Sequence, residues 1–358
     1  MRVNRLWLTD FRSYASAELA PAPDGLTVVV GANGQGKTNL LEGLAYLASL
    51  SSFRGAPKEA LVRHGAQQAV VRAEADRDGR SLLLEAEIAL VGRDRTMVNR
   101  QPLKRARDLL GALRVSVFSP DDLDLVKGGP SSRRRYLDAT LVAGHPRNDA
   151  LLGELDRVLR QRNALLKQSG GRLTAEIEST LDVWDAKLTE AGSAVAAARE
   201  ELVGWLEPEV AKAYDHVAHT AADVGVAYRR SWEGPLAEAL AAGRSDDVRR
   251  GLSLVGPHRD DLELSIGGLP SRTHASQGEQ RSLALALRLG AHGVITEAAG
   301  SPPVLLLDDV FSELDPERSA ALLAHLPAGQ AILTTAGAVP DGAHAALLVR
   351  VAGGQVLQ

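Results

Sequence analysis

The sequence predicts an α/β protein: a head assembled from both ends of the chain, with a mainly helical arm inserted between them. Three observations predict this fold class. A strand, a glycine-rich turn and a helix occupy residues 28–44, the pattern is helical from Asn148 to about His216, and short apolar strands return after Gly251. We therefore expect the first part of the head at 1–118, the arm at 119–250 and the second part of the head at 251–358.

The composition is that of a soluble globular protein. The chain has 358 residues, 45% of them hydrophobic and 24% charged, enough for two domains and a large core. Cysteine is absent, which excludes disulfides and thiolate metal sites and fits a reducing compartment. The nine histidines show no ligand spacing, so no zinc site is expected. No apolar run approaches the roughly 20 residues that span a bilayer, and the N-terminus lacks a signal-peptide core, so we expect a cytoplasmic protein without membrane contact.

The charge distribution is more informative than the net charge of -4. One window is basic, with only Asp94 and Asp108 against Arg93, Arg95, Arg100, Lys104, Arg105, Arg107 and Arg114. The window therefore carries +5 and the remainder of the chain -9. Such a patch fits a contact with a polyanion such as DNA, but charge runs are also common on faces that only contact solvent.

The head is predicted to consist of short strands and one early helix. In its first part, apolar patterns predict a helix at 37–50 and strands at 3–9, 26–30, 69–75, 81–90 and 95–98. In its second part, continuous apolar runs are typical of strands buried on both faces of a parallel sheet, at Val304–Asp309, Ala331–Thr335 and Ala346–Val351.

The arm is predicted to be a helix hairpin broken at Ser169–Gly171. After the break, apolar residues step by four and three along one seam: Leu173, Ile177, Leu181, Trp184, Leu188, Ala191 and Val195. A seam of this kind requires a partner helix. The residues before the break supply one with Leu151, Leu155, Val158, Leu159 and Leu166.

A phosphate-binding loop is predicted between strand 26–30 and helix 37–50. Gly31, Gly36, Lys37 and Thr38 fit G-x-x-x-x-G-K-[ST] in the strand–loop–helix context that this pattern requires. Glycines allow backbone N–H groups to surround a phosphate at the positive end of the helix dipole. Lys37 is placed to reach the β- and γ-phosphates, and the Thr38 hydroxyl to bind Mg²⁺. A chance match in a glycine-rich loop is the alternative, which the strand context and the additional Gly34 disfavour.

Two carboxylates end the strand Val304–Asp309. Asp308 is placed to hold Mg²⁺ through water, and Asp309 to polarise an attacking water. Two aspartates at a strand end are also ordinary turn residues. Their occurrence together with the loop 31–38 favours the site.

The stretch THASQGEQRSLALALRL, Thr273 to Leu289, allows two interpretations. Ser276 and Glu279 have the capping-box spacing ahead of an apolar helix, which predicts a capped core helix. Gly278, however, leaves bare backbone in the first helical turn, where an anion binds best. The stretch alone favours the first interpretation.

Two stretches resemble motifs of the ABC-type ATPases. Ser276–Gln280 resembles the signature loop of that family, L-S-G-G-Q, and Ser312–Asp315 resembles its D-loop. The usual switch histidine is missing after the strand Ala331–Thr335, where Thr334 and Thr335 stand instead. The resemblance implies an ABC-type P-loop ATPase head, in which the signature loop caps the γ-phosphate bound to a second subunit.

Within that superfamily the chain resembles the RecF family of bacterial recombination-repair ATPases almost end to end. Four stretches carry the resemblance: LTDFRSY (Leu8–Tyr14), SPDDLDLVKGGPSSRRRYLD (Ser119–Asp138), GPHRDD (Gly256–Asp261) and LLLDDVFSELDPERSAALL (Leu305–Leu323). The second is long enough that a basic helix start after a Gly-Gly-Pro turn does not account for the whole string.

The resemblance implies a homodimer that forms on ATP binding, uses Mg²⁺, and hydrolyses ATP slowly in a DNA-dependent way. Family members bind double-stranded DNA at gaps or single-strand/double-strand junctions and help load RecA with RecR and RecO, in DNA replication, recombination and the SOS response. The implied catalytic residues are Lys37 and Asp309, and the implied metal ligands Thr38 and Asp308. The implied nucleotide contacts are Gly31, Ala32, Asn33, Gly34, Gln35, Gly36, Lys37, Thr38, Asn39, Arg12, Ser276, Gly278 and Gln280.

Two rival functions remain open on the sequence. One is a nucleotide-gated DNA clamp of the SMC type whose hydrolysis is incidental, because Asp309 is one methylene shorter than the glutamate of fast ABC ATPases. The other is the ATPase subunit of a membrane transporter, against which the long insertion between Thr38 and Ser276 argues.

Overall fold

The computed structural model describes residues 1–77, 79–218 and 222–357. The chain divides into two compact units. The first contains Met1–Leu123, Glu209–Ala222 and Ser276–Gln358, and the second contains Asp124–Pro208 and Asp223–Ala275. Both ends of the chain thus fold into the first unit, and the second is built mainly from the insertion.

The strands of the described residues are β1 (Arg2–Phe11), β2 (Tyr14–Leu19), β3 (Gly25–Val30), β4 (Gln68–Arg77), β5 (Arg80–Ala89), β6 (Arg95–Val98), β7 (Gln101–Pro102), β8 (Val115–Phe118), β9 (Val224–Arg229), β10 (Asp261–Ile266), β11 (Leu269–Pro270), β12 (Val304–Asp308), β13 (Gln330–Thr335), β14 (Ala345–Ala352) and β15 (Gln355–Leu357). The helices are α1 (Lys37–Ser49), α2 (Lys58–Leu61), α3 (Leu123–Lys127), α4 (Pro130–Gly144), α5 (Asn148–Gln168), α6 (Ala175–Val217), α7 (Leu236–Arg250), α8 (Ser271–His274), α9 (Gln277–Ala299) and α10 (Pro316–Ala324). Short 3₁₀ turns occupy Ala106–Leu109, Pro120–Asp122, Pro257–Arg259 and Val310–Glu313.

The first unit has two six-stranded sheets. One is antiparallel, in the order β2-β1-β4-β5-β6-β7, and its strands alternate between a buried and an exposed face, as the sequence predicts. The other has the order β15-β14-β3-β13-β12-β8, with β14, β3, β13, β12 and β8 parallel. The predicted α/β fold class is therefore confirmed for the head.

Helix α1 lies in the core between these two sheets. Its Leu40 and Leu44 share a buried cluster with Leu8 of the antiparallel sheet and Leu306 of the parallel sheet. On the other face of the parallel sheet, Leu305 and its neighbours pack against α9 and α10. Strands covered on both faces need apolar residues at every position, which explains the continuous run of β12.

The second unit combines a three-stranded antiparallel sheet, β11-β10-β9, with packed helices. The predicted hairpin of α5 and α6 is present, and a third helix, α7, completes its core: Leu155, Val158, Leu188, Val195, Leu236 and Leu240 are buried together. Leu173 was wrongly placed in the seam, because α6 begins only at Ala175 and Leu173 is 45% exposed.

A buried ionic network ties these three helices. Arg162 is fully buried; its Nε donates to Asp185 Oδ1 at 2.7 Å and its Nη1 to Asp247 Oδ2 at 2.7 Å. Removing one partner of such a pair leaves an uncompensated buried charge. The network therefore joins α5, α6 and α7 through buried charges.

The two units differ from the predicted segment boundaries at three points. Residues 119–123 stay with the first unit, where Arg288 Nη2 donates to Asp122 Oδ1 at 2.5 Å. Residues 209–217 of α6 belong there too, because Val210 packs closely over Gly290 of α9. Residues 251–275 belong to the second unit, because β10 forms its ladder with β9. Within the described ranges, no helix is long and apolar enough to cross a membrane.

Candidate nucleotide-binding site

The glycine-rich loop connects the end of β3 to the start of α1, at the carboxyl edge of the parallel sheet. Gly36 has φ 106°, and a Cβ there would lie 2.8 Å from the Tyr14 hydroxyl and 2.9 Å from Ser13 Oγ. A Cβ at Gly31 would lie 2.3 Å from the carbonyl oxygen of Val351. Both ends of the loop therefore require glycine for steric reasons, independently of any ligand.

Lys37 is turned into this loop. Its Nζ donates to the carbonyl oxygens of Gly31, at 2.7 Å, and Ala32, at 3.0 Å, and the residue is only 6% exposed. A buried ammonium is costly unless polar groups surround it. Two carbonyls partly offset that cost, and an anion held by the loop would offset it further.

The P-loop threonine and the acidic strand meet directly. Thr38 Oγ1 donates to Asp308 Oδ1 at 2.8 Å, and Thr334 Oγ1 donates to the same oxygen at 2.8 Å. Thr334 lies opposite Asp308 because β12 and β13 pair in parallel with these residues in register. Burial raises the pKa of Asp308, and the two hydroxyl hydrogen bonds act in the opposite direction.

This donor set fits Mg²⁺. A hydroxyl and a carboxylate are the hard oxygen ligands that the ion prefers, and Mg²⁺ bound with a nucleotide takes only one or two protein ligands. A cation beside Asp308 would also favour the ionised form that burial opposes. In the part of the chain that the structure describes, no cluster of three His, Asp or Glu side chains offers a larger cage.

Asp309 follows in a left-handed conformation. Its φ is 49°, its backbone N–H donates to Thr334 Oγ1 at 3.0 Å, and its carbonyl accepts from Ser312 Oγ at 2.7 Å. Left-handed non-glycine residues are uncommon, although aspartate tolerates the conformation better than most. Asp309 is therefore a turn residue, and it directly follows Asp308, which contacts Thr38 of the phosphate loop. This position is compatible with a carboxylate that polarises water as well.

The stretch 276–280 begins α9 as a capped helix. Ser276 N donates to Glu279 Oε2 at 2.7 Å, and Glu279 N donates to Ser276 Oγ at 3.3 Å, which confirms the predicted capping box. Gln280 is buried, and Gly278 lies beside Arg318, a residue that no sequence motif indicated. Arg318 in turn pairs with Asp315. It therefore links the stretch that resembles a signature loop (Ser276–Gln280, hereafter the signature loop) to the stretch that resembles a D-loop (Ser312–Asp315, hereafter the D-loop).

Arg12 is held by α1. Its Nε and Nη2 donate to the two carboxylate oxygens of Glu42 at 2.7 and 2.6 Å, and its Nη1 donates to the carbonyl of Ala60 at 2.9 Å. Glu42 is fully buried in the apolar sequence LLEGL. A carboxylate inside an apolar helix indicates that a cation or hydrogen-bond donor pairs with it, but the sequence alone does not identify that residue.

The remaining loop residues have varied surroundings. Ala32, Asn33 and Gly34 are exposed. Gln35 Oε1 accepts from the backbone N–H of Gly353 at 2.6 Å, and Asn39 Nδ2 donates to Ser13 Oγ at 2.9 Å. The exposed tip is thus supported on both sides by side-chain hydrogen bonds.

The string Ser119–Asp138 has in part a structural role. Arg133 Nε and Nη2 donate to the two oxygens of Asp261 at 2.7 and 2.8 Å, and Arg134 Nη1 donates to the carbonyl of Asp260 at 2.7 Å. All four residues belong to the second unit. Hydrogen bonds between residues 128 and 126 positions apart thus join this string to GPHRDD. Two of the four stretches of the family resemblance therefore have a structural role.

The basic window lies mostly at the surface of the first unit. Arg93, Arg95, Arg100, Lys104, Arg105 and Arg107 are exposed, whereas Arg114 is buried. Arg105 Nη2 lies 2.8 Å from Asp108 Oδ1 and Lys58 Nζ lies 2.7 Å from Asp94 Oδ1. The window thus keeps a net positive surface.

The parallel sheet, the phosphate loop and the Thr38–Asp308 contact define the class: this is an ABC/SMC-type head domain. The RecF/RecN/SMC N terminal domain family matches residues 2–336. The SMC head domain of Pyrococcus furiosus, bound to the C-terminal domain of ScpA, has the same fold, with a TM-score of 0.55 at 16% identity over 99% of this chain and 95% of that one.

Closer relatives define the particular family. The DNA replication and repair protein RecF of Frankia alni is 45% identical, covering 95% of this chain and 94% of its own length. RecF of an Arthrobacter species is 42% identical over the same shares of both chains. A solved structure of the recombination mediator protein RecF with ATP, in the RecFOR pathway, has a TM-score of 0.91 at 29% identity over 99% of this chain and 96% of that chain. The chain belongs to the RecF family.

Proposed function

We propose that this protein is an ATP-dependent DNA clamp of recombinational repair in the cytoplasm. It dimerises on binding ATP, binds gapped or junction DNA and helps load RecA together with RecR and RecO. The observation that carries the proposal is the hydrogen bond from Thr38 to Asp308, which brings the phosphate loop and the acidic strand into one site. The names of the relatives, replication and repair proteins and a recombination mediator, support the process.

Each residue of the site has a task in this proposal. Lys37 and the N–H groups of the loop bind the phosphates, and Thr38 and Asp308 hold Mg²⁺. Bound there, Mg²⁺ would supply positive charge to offset that of the phosphates. Asp309 orients and polarises a water. Thr334, in place of the switch histidine, holds Asp308 and the Asp309 backbone in position.

The dimer would place a second copy's signature loop over the nucleotide. Ser276 and Gly278 sit at the N-terminus of a 23-residue helix, which favours an anion. The exposed part of the basic window supplies charge for DNA. Because these residues lie outside the phosphate loop, ATP binding by one subunit and clamp closure are separate steps.

A clamp with incidental hydrolysis is the second candidate. The carboxylate of Asp309, one methylene shorter than that of a glutamate, favours slow turnover over fast turnover. Turnover with and without duplex DNA, compared with ATP-induced association, separates the two. The RecF relatives give no support to the transporter subunit.

Sedimentation of the purified protein tests the proposal directly. We expect a monomer alone, a dimer with ATP and Mg²⁺, and a further shift with gapped duplex DNA but less with intact duplex. The Lys37→Met variant, which lacks the phosphate-binding charge, is the matched control and stays monomeric. A wild-type chain that binds ATP yet remains monomeric at every concentration would overturn the clamp.

A further inference from the structure

Two side chains tie the D-loop segment to helix α9. Arg318 Nε donates to Ser282 Oγ at 3.0 Å, and its Nη1 forms an ion pair with the carboxylate of Asp315. The Arg318 backbone N–H also donates to Asp315 Oδ1, at 2.8 Å. Nearer the surface, Arg281 Nη2 lies 2.7 Å from Glu313 Oε2. The start of α9 and the D-loop are therefore linked at two levels.

Arg318 also lies against the bare backbone of Gly278. A Cβ at position 278 would lie 2.6 Å from Nη2, 3.1 Å from Cζ and 3.3 Å from Nη1 of Arg318. The end of an arginine side chain ordinarily swings away from such an obstacle at little cost. Here it is fastened by Ser282 on one side and Asp315 on the other, so any movement breaks these contacts.

The position of the guanidinium is electrostatically unusual. It lies at the N-terminus of α9, where the helix dipole disfavours a cation. The carboxylate of Asp315 compensates that charge, and Glu279 of the capping box adds a second carboxylate at this end of the helix. Two carboxylates therefore lie at the helix end where the guanidinium is placed, and they offset its unfavourable interaction with the helix dipole.

We infer that Arg318 is a positioning residue that fixes the signature loop to the D-loop, and that residue 278 is glycine because this guanidinium lies on its backbone. The inference rests on the proposed function, in which both loops meet the partner subunit. Loops that are fixed before association lose little conformational freedom when the dimer forms. Loss of Arg318 therefore weakens the ATP-bound dimer and leaves nucleotide binding by the monomer unchanged.

A double-mutant cycle on the nucleotide-free protein tests the contact itself. Gly278→Ala and Arg318→Ala should each lower the Tm of unfolding, by about 2 °C or more for a domain of this size. The double variant should be no less stable than Arg318→Ala alone, because the added methyl group then meets no guanidinium. Losses that simply add would overturn the inference. Arg249→Ala, which removes an exposed ion pair with Asp246 in the second unit, is the matched control.

ATP-driven association, measured by sedimentation, tests the functional part. Gly278→Ala and Arg318→Ala should weaken the dimer about tenfold at unchanged monomer affinity for ATP, and Arg318→Lys should recover part of the loss. The double variant should match Arg318→Ala. If it were instead much weaker than Arg318→Ala, the lack of a side chain at 278 would be required by the dimer itself and not by Arg318, and the inference would be wrong.

The two readouts separate the inference from the proposed function. If the wild-type chain binds ATP without dimerising, the clamp fails, yet the unfolding cycle still decides whether Arg318 and Gly278 are coupled. If the unfolding losses add, Arg318 is not the reason for Gly278, whatever the dimer does.

Discussion

Thr334 Oγ1 donates a hydrogen bond to Asp308 Oδ1 and accepts one from the backbone N–H of Asp309, so that a single hydroxyl holds both acidic residues. The bond to Asp308 is 2.8 Å long and that from Asp309 is 3.0 Å. Thr334 is fully buried, at the place where the ABC family usually has a histidine nearby. We propose that this short side chain on β13 orients the acidic pair through these two hydrogen bonds.

Thr334→Val should lower ATP hydrolysis about tenfold, because one buried hydroxyl positions both carboxylate residues and its loss leaves them misplaced. Loss of a hydrogen bond to the ionised form raises the pKa of Asp308 still further above its ordinary value. The acid limb of the rate–pH profile should therefore move to higher pH. Thr334→Ser keeps the hydroxyl and should behave like the wild type. A valine variant with a normal rate and a normal rate–pH profile would mean that Thr334 has no role in hydrolysis.

DNA affinity should depend steeply on salt despite the net charge of -4. With Arg114 buried, about four phosphate contacts remain for the window, so log K should fall against log salt with a slope of about -4. Neutralising Lys104, Arg105 and Arg107 together should flatten the slope by up to about three. Binding measured from low to moderate salt checks this. An unchanged slope moves the DNA surface elsewhere, with exposed Arg135 a better candidate than Arg133, which is buried against Asp261.

Acid should destabilise the fold partly through His292. This ring is buried beside Ser116, with Nδ1 and Ser116 Oγ 3.0 Å apart, and burial lowers its pKa to about 4. A histidine whose folded pKa lies below its unfolded value stabilises the fold fully above about pH 6.5. That contribution is lost as the pH falls toward 4, by roughly 3 kcal/mol at most.

The His292→Gln variant, which stays neutral, isolates this effect. Its free energy of unfolding should fall less than that of the wild type between pH 7 and pH 4.5, as followed by denaturant titration. His258 in the second unit, with a pKa also lowered to about 4 by burial, remains in both proteins as an internal reference. Identical pH dependence in the two proteins would mean that His292 is not a source of acid sensitivity.

The sequence predicted the parts of the site whose determinants are contiguous. The conformation of residues 31–38 is determined locally. A Cβ at Gly31 or Gly36 would clash with neighbouring backbone or side-chain atoms, so only glycine fits there. Apolar runs likewise predicted β3, β12 and β13 because strands buried on both faces admit few polar residues. The sequence was sufficient to predict those parts of the site whose conformation depends on neighbouring residues in the chain.

Pairings across the chain were not predictable in the same way. The partner of Arg12 is Glu42, and that of Gly278 is Arg318, each from another element. A sequence shows that Glu42 is an unusual charge in an apolar helix, but not which cation neutralises it. The third helix of the arm escaped notice for the same reason, because Leu236 and Leu240 become a core only once α5 and α6 have packed.

Asp309→Asn should trap an ATP-bound dimer. Asparagine adopts the left-handed conformation of this position as readily as aspartate, so the backbone at φ 49° is preserved and Asp308 remains to hold the metal. Only the carboxylate that polarises water is lost, and hydrolysis slows while binding persists. Dimer lifetime after dilution into excess ADP is the measurement. A lifetime equal to that of the wild type would mean that Asp309 is only a turn residue and does not act in hydrolysis.

Ser276→Arg should leave ATP binding by each subunit intact and block the dimer, because the long side chain fills the space assigned to the other subunit's γ-phosphate. Since Ser276 also caps α9, Ser276→Ala serves as the control for the lost cap alone, which costs about 1 kcal/mol of stability. The alanine variant should still dimerise, although more weakly. Nucleotide binding by equilibrium dialysis and association by sedimentation give the two readouts.

Mixing two defective chains gives the sharpest test of a shared site. Lys37→Met lacks a working phosphate loop but has an intact signature loop, and Ser276→Arg has the reverse. A mixed dimer then contains one site with both halves intact, so ATP-dependent association should return in part when the variants are combined, and in neither variant alone. Ser276→Arg carries the ATP in that dimer, which labelled nucleotide reports. If Ser276→Arg by itself dimerises and hydrolyses ATP like the wild type, the two halves do not lie on different chains and the stretch 276–280 is only the capped start of a core helix.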